Sequence, residues 1–299
     1  MAEEPRGVTH IESGYRLPAG LRLGCVRLQV ADLQRSVEWY GQVLGLTLLA
    51  TEGNCASLGT AEGGSTLVEL YGLPGASAVP RHGRLGLYHF ALLLPDRRAL
   101  GRFAAHCAHL DVPLGAADHL VSEALYLHDP DGLGIEVYAD RPRDSWRREG
   151  GQLVMATEPL DLADLSAAAG DQPWAGMPAG GIVGHMHLHV ADLERADAFY
   201  HAALGFDRTV WSYPGALFLS AGGYHHHLGL NTWARNAQRP APDDSQLLEW
   251  EIVLPSAEDV EAALASTAAA GRVVEYVESG GRVRDDWGTA LRLRAETSG

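Results

Sequence analysis

The stretch GHMHLHV, residues 184 to 190, sets three imidazoles at alternate positions of an otherwise apolar run. A β-strand points successive side chains to opposite faces, so Met186, Leu188 and Val190 would share one face and His185, His187 and His189 the other. Imidazoles gathered on one face can ligate a metal, or they can be hydrogen-bonded parts of the fold. A single histidine on a strand is more often the second, so the neighbours of this strand decide its meaning.

Those neighbours follow from an internal repeat. VADLQRSVEWYGQVLGL from Val30 and VADLERADAFYHAALGF from Val190 match at an offset of 160 residues, and LPDRRALGRFAAH from Leu94 and LPSAEDVEAALAS from Leu254 stand at the same offset. The halves are duplicates, and within each half a strand, a helix and further strands recur twice, giving four related units. Asp32 sits where an N-cap belongs, Leu33, Val37, Tyr40 and Leu44 follow at helical spacing, and Gly45 ends the helix. Asp192, Leu193, Ala196, Tyr200 and Gly205 repeat that pattern. Pro95 and Ser256 open the second and fourth helices, Ser256 with Asp259 as a capping pair. In DPDGLGIEVY, residues 129 to 138, an Asp-Gly turn leads into a strand on which Ile135 and Val137 alternate with Glu136 and Tyr138. The expected class is α+β, four βαβββ units in two domains, residues 22–140 and 182–294, with a linker over 141–181 rich in Arg, Gly, Pro and Ala.

The 299 residues carry a formal net charge of −15, which disfavours an electrostatic grip on nucleic acid or on an anionic membrane. A small-molecule partner is the expectation. Cys25, Cys55 and Cys107 are odd in number and irregular in spacing, so neither a disulfide framework nor a cysteine-rich zinc site is indicated, which suits a reducing cytoplasm. The start, MAEEPRGVTHIESG, is acidic and lacks an apolar run, and no segment approaches the roughly 20 apolar residues of a membrane span. The expected protein is soluble and cytoplasmic, with homo-oligomerisation left open.

GHMHLHVADLERADAFYHAALGF, FLSAGGYHHHLGLNTW and DHLVSEALYLHDPDGLGIEVY together resemble the vicinal oxygen chelate superfamily, and within it the two-domain type I extradiol dioxygenases, catechol 2,3-dioxygenases among them. The resemblance covers nearly the whole chain outside the linker and the ends. It implies one divalent metal between two paired units, held by the first strand of each and by a carboxylate on the last strand of one. The repeat offset makes His185 correspond to Cys25 and His89 to Glu249, and the turn glycines Gly132 and Gly288 make Glu136 correspond to Arg292. Pairing the second unit with the third gives His89, Glu136 and His185. Pairing the first with the fourth gives Cys25, Glu249 and Arg292, and a guanidinium has no lone pair to donate. Only the former set suits a metal. Two imidazoles and one carboxylate leave three positions open, the arrangement of non-haem Fe(II) oxygen chemistry, and Mn(II) fits the same ligands.

The same resemblance implies further roles: His226 as acid and base, with His227 its rival by strand alternation, and Tyr126, ten residues before Glu136, with His119 as hydrogen-bond donors. Trp211, Tyr213 and Trp233 are candidate pocket aromatics. The implied reaction is extradiol cleavage of a small aromatic diol with dioxygen to a ring-opened semialdehyde. Two alternatives stand beside it: a glyoxalase-like metal-dependent isomerase or lyase, and a binding protein similar to bleomycin-resistance proteins.

Overall fold

Four times the chain runs strand, helix, three strands. The computed structural model describes residues 14–61 and 65–296; the acidic start, Met1 to Ser13, lies outside them. The first unit comprises strand Arg22–Val30, helix Leu33–Gln42 and strands Thr47–Glu52, Cys55–Gly59 and Thr66–Gly72. The second comprises Gly86–Leu93, helix Arg97–His109, then Gly115–Asp118, Ser122–His128 and Gly134–Asp140. The third comprises Ile182–His189, a helix from Leu193, then Asp207–Val210, Ala216–Ser220 and Leu228–Asn231. The fourth comprises Gln246–Leu254, helix Ala257–Ala269, then Val274–Val277, Gly280–Arg284 and Ala290–Ala295.

Each helix begins where a short polar side chain can satisfy a free backbone N–H. Asp32 accepts from the Arg35 amide at 3.0 Å, Asp192 from Arg195 at 3.0 Å, and Ser256 from Asp259 at 3.1 Å. In the second unit the cap is Asp96, which accepts from Ala99 at 2.8 Å, so Pro95 precedes the helix instead of opening it. The third helix is regular only over Leu193–Asp197 and widens into a π turn over Ala198–Ala203, a departure the sequence periodicity conceals.

The units pair across the sequence halves. One eight-stranded sheet joins the first and fourth units through the antiparallel strands Arg22–Val30 and Gln246–Leu254; the other joins the second and third through Gly86–Leu93 and Ile182–His189. In every unit the first strand runs parallel to the last, the helix serving as crossover. Buried apolar side chains such as Leu28, Leu70, Phe90, Val137, Leu188 and Ile252 belong to one continuous core. Within each half, units are tied by a tyrosine: the Tyr40 hydroxyl donates to Asp129 at 3.2 Å and that of Tyr200 to Asp285 at 3.0 Å.

The 141–181 segment has structure of its own, including helix Leu162–Ala169. That helix crosses Arg97–His109 at Gly101, where a Cβ would lie 2.5 Å from the Leu165 carbonyl oxygen, so only glycine permits the approach. No helix of the described residues is long and apolar enough to cross a membrane.

Candidate active site

The sheet of the second and third units sets one row of side chains across four strands. Tyr126 pairs with Glu136, Glu136 with Ala91, and Ala91 with His185, and residues so paired point to the same face. The ten-residue spacing between Tyr126 and Glu136 is thus a hairpin register that places them side by side. His89, two residues before Ala91, shares their face. Because Ala91 presents only a methyl group, Glu136 and His185 reach each other over it. His185 Nε2 lies 3.1 Å from Glu136 Oε2, and His89 Nε2 lies 2.9 Å from the same oxygen.

One ligand atom from each of His89, Glu136 and His185 lies within 4.8 Å of the others, and all three residues are buried. His89 Nε2, although close to the carboxylate, forms no hydrogen bond with it and has no other partner. A buried lone pair left without a partner is costly, and a cation between the three groups would satisfy it. Burial pushes the Glu136 carboxyl up, but His185 and His89 outweigh it and hold it well below the usual carboxylate range. Burial, opposed by Glu136, keeps His89 below the ordinary imidazole value. Ionised carboxylate and neutral imidazole are the forms that bind a metal, so the residues present fit a divalent ion.

His187 also lines the cavity that opens above these residues and packs edge-on against His89 at 4.9 Å, but neither it nor His189 joins the group. Asn231 bridges these two rings, donating to His187 Nε2 at 3.0 Å and accepting from His189 Nδ1 at 2.7 Å. The NTW segment thereby acquires a role the sequence did not reveal.

A cavity of about 520 Å³ opens above His89 and Glu136. Tyr88, Tyr213, Phe218 and Trp233 give it aromatic walls, and His119, Tyr126 and His226 give it polar ones. Trp211 is 39% exposed and takes no part in the lining. Met155, Ala156 and Thr157 also face the cavity, a contribution from the 141–181 segment that no periodicity announces.

His226 packs against His185, the rings tilted and their centroids 4.1 Å apart, and meets Phe218 at 5.0 Å. Strand alternation does not apply to it, because His225 to His227 precede the strand that begins at Leu228. His227 turns away, its Nδ1 accepting from the Ala221 amide at 3.2 Å. His226 is held well below the ordinary imidazole value, first by burial and then by His185 and His225, so its ring is neutral.

His119 and Tyr126 are joined at 2.6 Å, with His119 Nδ1 2.7 Å from the Ala156 carbonyl. A carbonyl only accepts, so in the neutral ring Nδ1 carries the proton and Nε2 accepts from the Tyr126 hydroxyl. His119 is thereby placed to orient Tyr126. Burial first, then Glu136, raises Tyr126 well above the usual phenol value, so its hydroxyl stays protonated.

The other sheet shows what became of the counterpart set. Arg27, which occupies the position equivalent to His187, reaches Glu69 at 2.6 Å, Glu249 at 2.5 Å and Glu251 at 2.8 Å. Arg282 also pairs with Glu249, and Arg294 with Glu251 at 3.2 Å. The cation at the centre is thus Arg27, whereas Arg292 turns aside to the Glu278 carbonyl at 3.1 Å. Ion pairs fill this sheet where the sheet of the second and third units gathers His89, Glu136 and His185.

The Glyoxalase/Bleomycin resistance protein/Dioxygenase superfamily matches residues 22–137, and the bleomycin resistance protein-like N-terminal family matches residues 183–207. The chain is 44% identical over 267 residues to the catechol-2,3-dioxygenase of Bacillus subtilis (strain 168), covering 88% of this chain and 93% of that one. Among solved structures, a candidate dioxygenase of Bacillus subtilis superposes with a TM-score of 0.67 at 16% identity, covering 95% of this chain and 87% of its own. Glyoxalase I of Zea mays superposes at 0.55 and 18% identity, covering 92% of each chain. The two superpositions speak for the fold, and the identity with the Bacillus enzyme speaks for kinship. The chain belongs to the glyoxalase/bleomycin resistance protein/dioxygenase superfamily, among its dioxygenases.

Proposed function

We propose that the chain is an Fe(II)-dependent extradiol dioxygenase that opens a catechol-type ring with dioxygen to give a semialdehyde. The observation that carries the reading is the buried trio of His89, Glu136 and His185 with its unpartnered nitrogen, set under an aromatic-walled cavity beside His226 and Tyr126. Iron held by these three would supply Lewis acidity toward an ortho-diol and the electron chemistry that the diol's reaction with dioxygen needs. Mn(II) would satisfy the same ligands.

The chain's own groups divide the remaining work. Tyr88, Phe218 and Trp233 shield and flank a flat ring, and His226, neutral and lining the cavity, takes the proton from a diol hydroxyl. Tyr126, placed by His119, lines the cavity and turns its hydroxyl proton from His119 Nε2 to the substrate oxygen where negative charge develops. Among the described residues, the convergent ligand group comprises these three side chains without the second glutamate expected of a glyoxalase-like site. The substrates are a small aromatic diol and dioxygen, and the free cysteines suit the cytoplasm as the compartment.

The test is to purify the protein without oxygen, load it with Fe(II), and add catechol and air. The expected result is one dioxygen consumed per diol and the yellow of a ring-opened semialdehyde. The variant His185→Ala should lose the metal, whereas His226→Ala should keep it and lose turnover by on the order of 100-fold. Normal iron binding by His185→Ala would sink the site.

A further inference from the structure

His226 is backed by a second buried ring. Its Nδ1 lies 2.8 Å from Nδ1 of His225, and Nε2 of His225 lies 2.9 Å from Oδ1 of Asp140. His225 is wholly buried, whereas the Asp140 side chain is 27% exposed, so the chain of contacts runs from the cavity to the protein surface. The donor and acceptor accounting has one solution for neutral rings. A carboxylate can only accept, so His225 carries its proton on Nε2 and keeps a lone pair on Nδ1. The short contact between the two Nδ1 atoms then requires the proton to sit on Nδ1 of His226. Its remaining nitrogen, Nε2, is left with a free lone pair.

We propose that Asp140 and His225 are positioning residues that lock His226 in the tautomer whose Nε2 accepts a proton from the substrate. The inference rests on the reading of His226 as the acid and base of ring cleavage. The His225 ring is held against turning over by its neighbours. His225 is packed edge-on against Trp146 at 5.3 Å and Tyr138 at 5.9 Å, and Asp140 Oδ1 also accepts from the Tyr224 hydroxyl at 3.2 Å. Tyr224 in turn lies 2.7 Å from the Tyr138 hydroxyl.

The molecule supplies its own comparison. Register places Leu228 opposite Met186 in one sheet and Val68 opposite Val26 in the other, so Ser65 and Thr66 stand where His225 and His226 do. The offset of the shared turn glycines makes Glu296 the counterpart of Asp140, and Glu296 is occupied by Arg22 at 2.7 Å. The ion-paired sheet thus has neither the relay nor a set like His89, Glu136 and His185. The sheet that has one has the other.

Two variants of equal size separate an acceptor role from a packing role. Asp140→Asn retains an oxygen facing His225, whereas Asp140→Leu offers none and frees His225 to move its proton to Nδ1, which drives that of His226 to Nε2. With Fe(II)-loaded protein and catechol, kcat should stay within a few-fold in the Asn variant and fall roughly tenfold to a hundredfold in the Leu variant, with KM and iron content unchanged. Nitrogen-15 NMR of histidine-labelled protein, metal-free and loaded with diamagnetic Zn(II), should show His226 Nε2 without a proton in the native and Asn proteins and with one in the Leu protein, the signal being assigned by loss in His226→Gln. A protonated Nε2 in the native protein, or an unchanged tautomer in Asp140→Leu, overturns the proposal. The spectrum needs no turnover, so a wild type that fails to cleave catechol would refute the function while leaving the tautomer lock standing.

Discussion

Tyr126 shows how much a single hydroxyl is asked to do. It is buried, kept protonated by burial and by Glu136, and held at 2.6 Å by a ring that is itself fixed on the Ala156 carbonyl. Tyr126→Phe should therefore retain the metal and the fold, at a stability cost of about 1 kcal/mol for the lost hydrogen bond, and lose turnover by on the order of 100-fold. Metal analysis beside oxygen-uptake rates checks it; a variant with native turnover would leave the hydroxyl only structural. The resemblance singled out the tyrosine by its ten-residue spacing from Glu136, and that spacing is a hairpin register. The orienting role of His119 was not legible in the sequence, because it depends on a backbone carbonyl contributed by a segment with no repeat and no periodicity.

At the scale of elements, the two sheets are one design carrying different polar contents. The central strand pairs even shift register at equivalent places, between Val183 and His185 and between Leu23 and Val26. Strands, helices and the caps Asp32, Asp192 and Ser256 could be read from the repeat, since each depends on local pattern, whereas the pairing of units came only from the resemblance. The π turn at Ala198–Ala203 and the turn that carries His225 to His227 could not, because their departures from regular geometry follow from tertiary packing. Arg27 is the case in which side-chain reach overrode alignment: Arg292 marked the counterpart set as cationic, but Arg27 does the neutralising. Removing it by Arg27→Met would leave three mostly buried carboxylates short of a partner, although Arg282 and Arg294 remain. The expected loss is about 3 kcal/mol of stability in urea unfolding, with metal content unchanged. A midpoint equal to wild type would show that this network contributes nothing net.

The whole molecule responds to acid through its buried imidazoles. His227 is lowered to about 3, first by burial and then by His225, and His201 is lowered chiefly by burial. Burial likewise lowers His187, His189 and His226. As pH falls below about 6.5, the unfolded chain binds protons that the folded one refuses, so stability declines by about 1.4 kcal/mol per pH unit for each such group. Asp129 acts in the opposite sense. Raised to about 7, mainly by burial, it holds a proton in the native state that the unfolded chain releases, so its contribution grows as pH falls from 7 to roughly 4. Burial raises Asp285 in the same way. The depressed histidines outnumber these carboxyls, so urea midpoints of metal-free protein should fall steadily from pH 6.5 to pH 5; a flat profile would show that the rings are not shielded as described.

The crossing of the halves also sets an order of events during synthesis. His89 and Glu136 leave the ribosome early, but His185 lies on a strand that pairs with Gly86–Leu93 only after the intervening segment has been made. On the proposed reading of the site, the front half alone would offer an ion one imidazole and one carboxylate, and the third donor would join only once the strand Ile182–His189 has docked, so a polypeptide ending before residue 185 should bind the metal more weakly than the full chain.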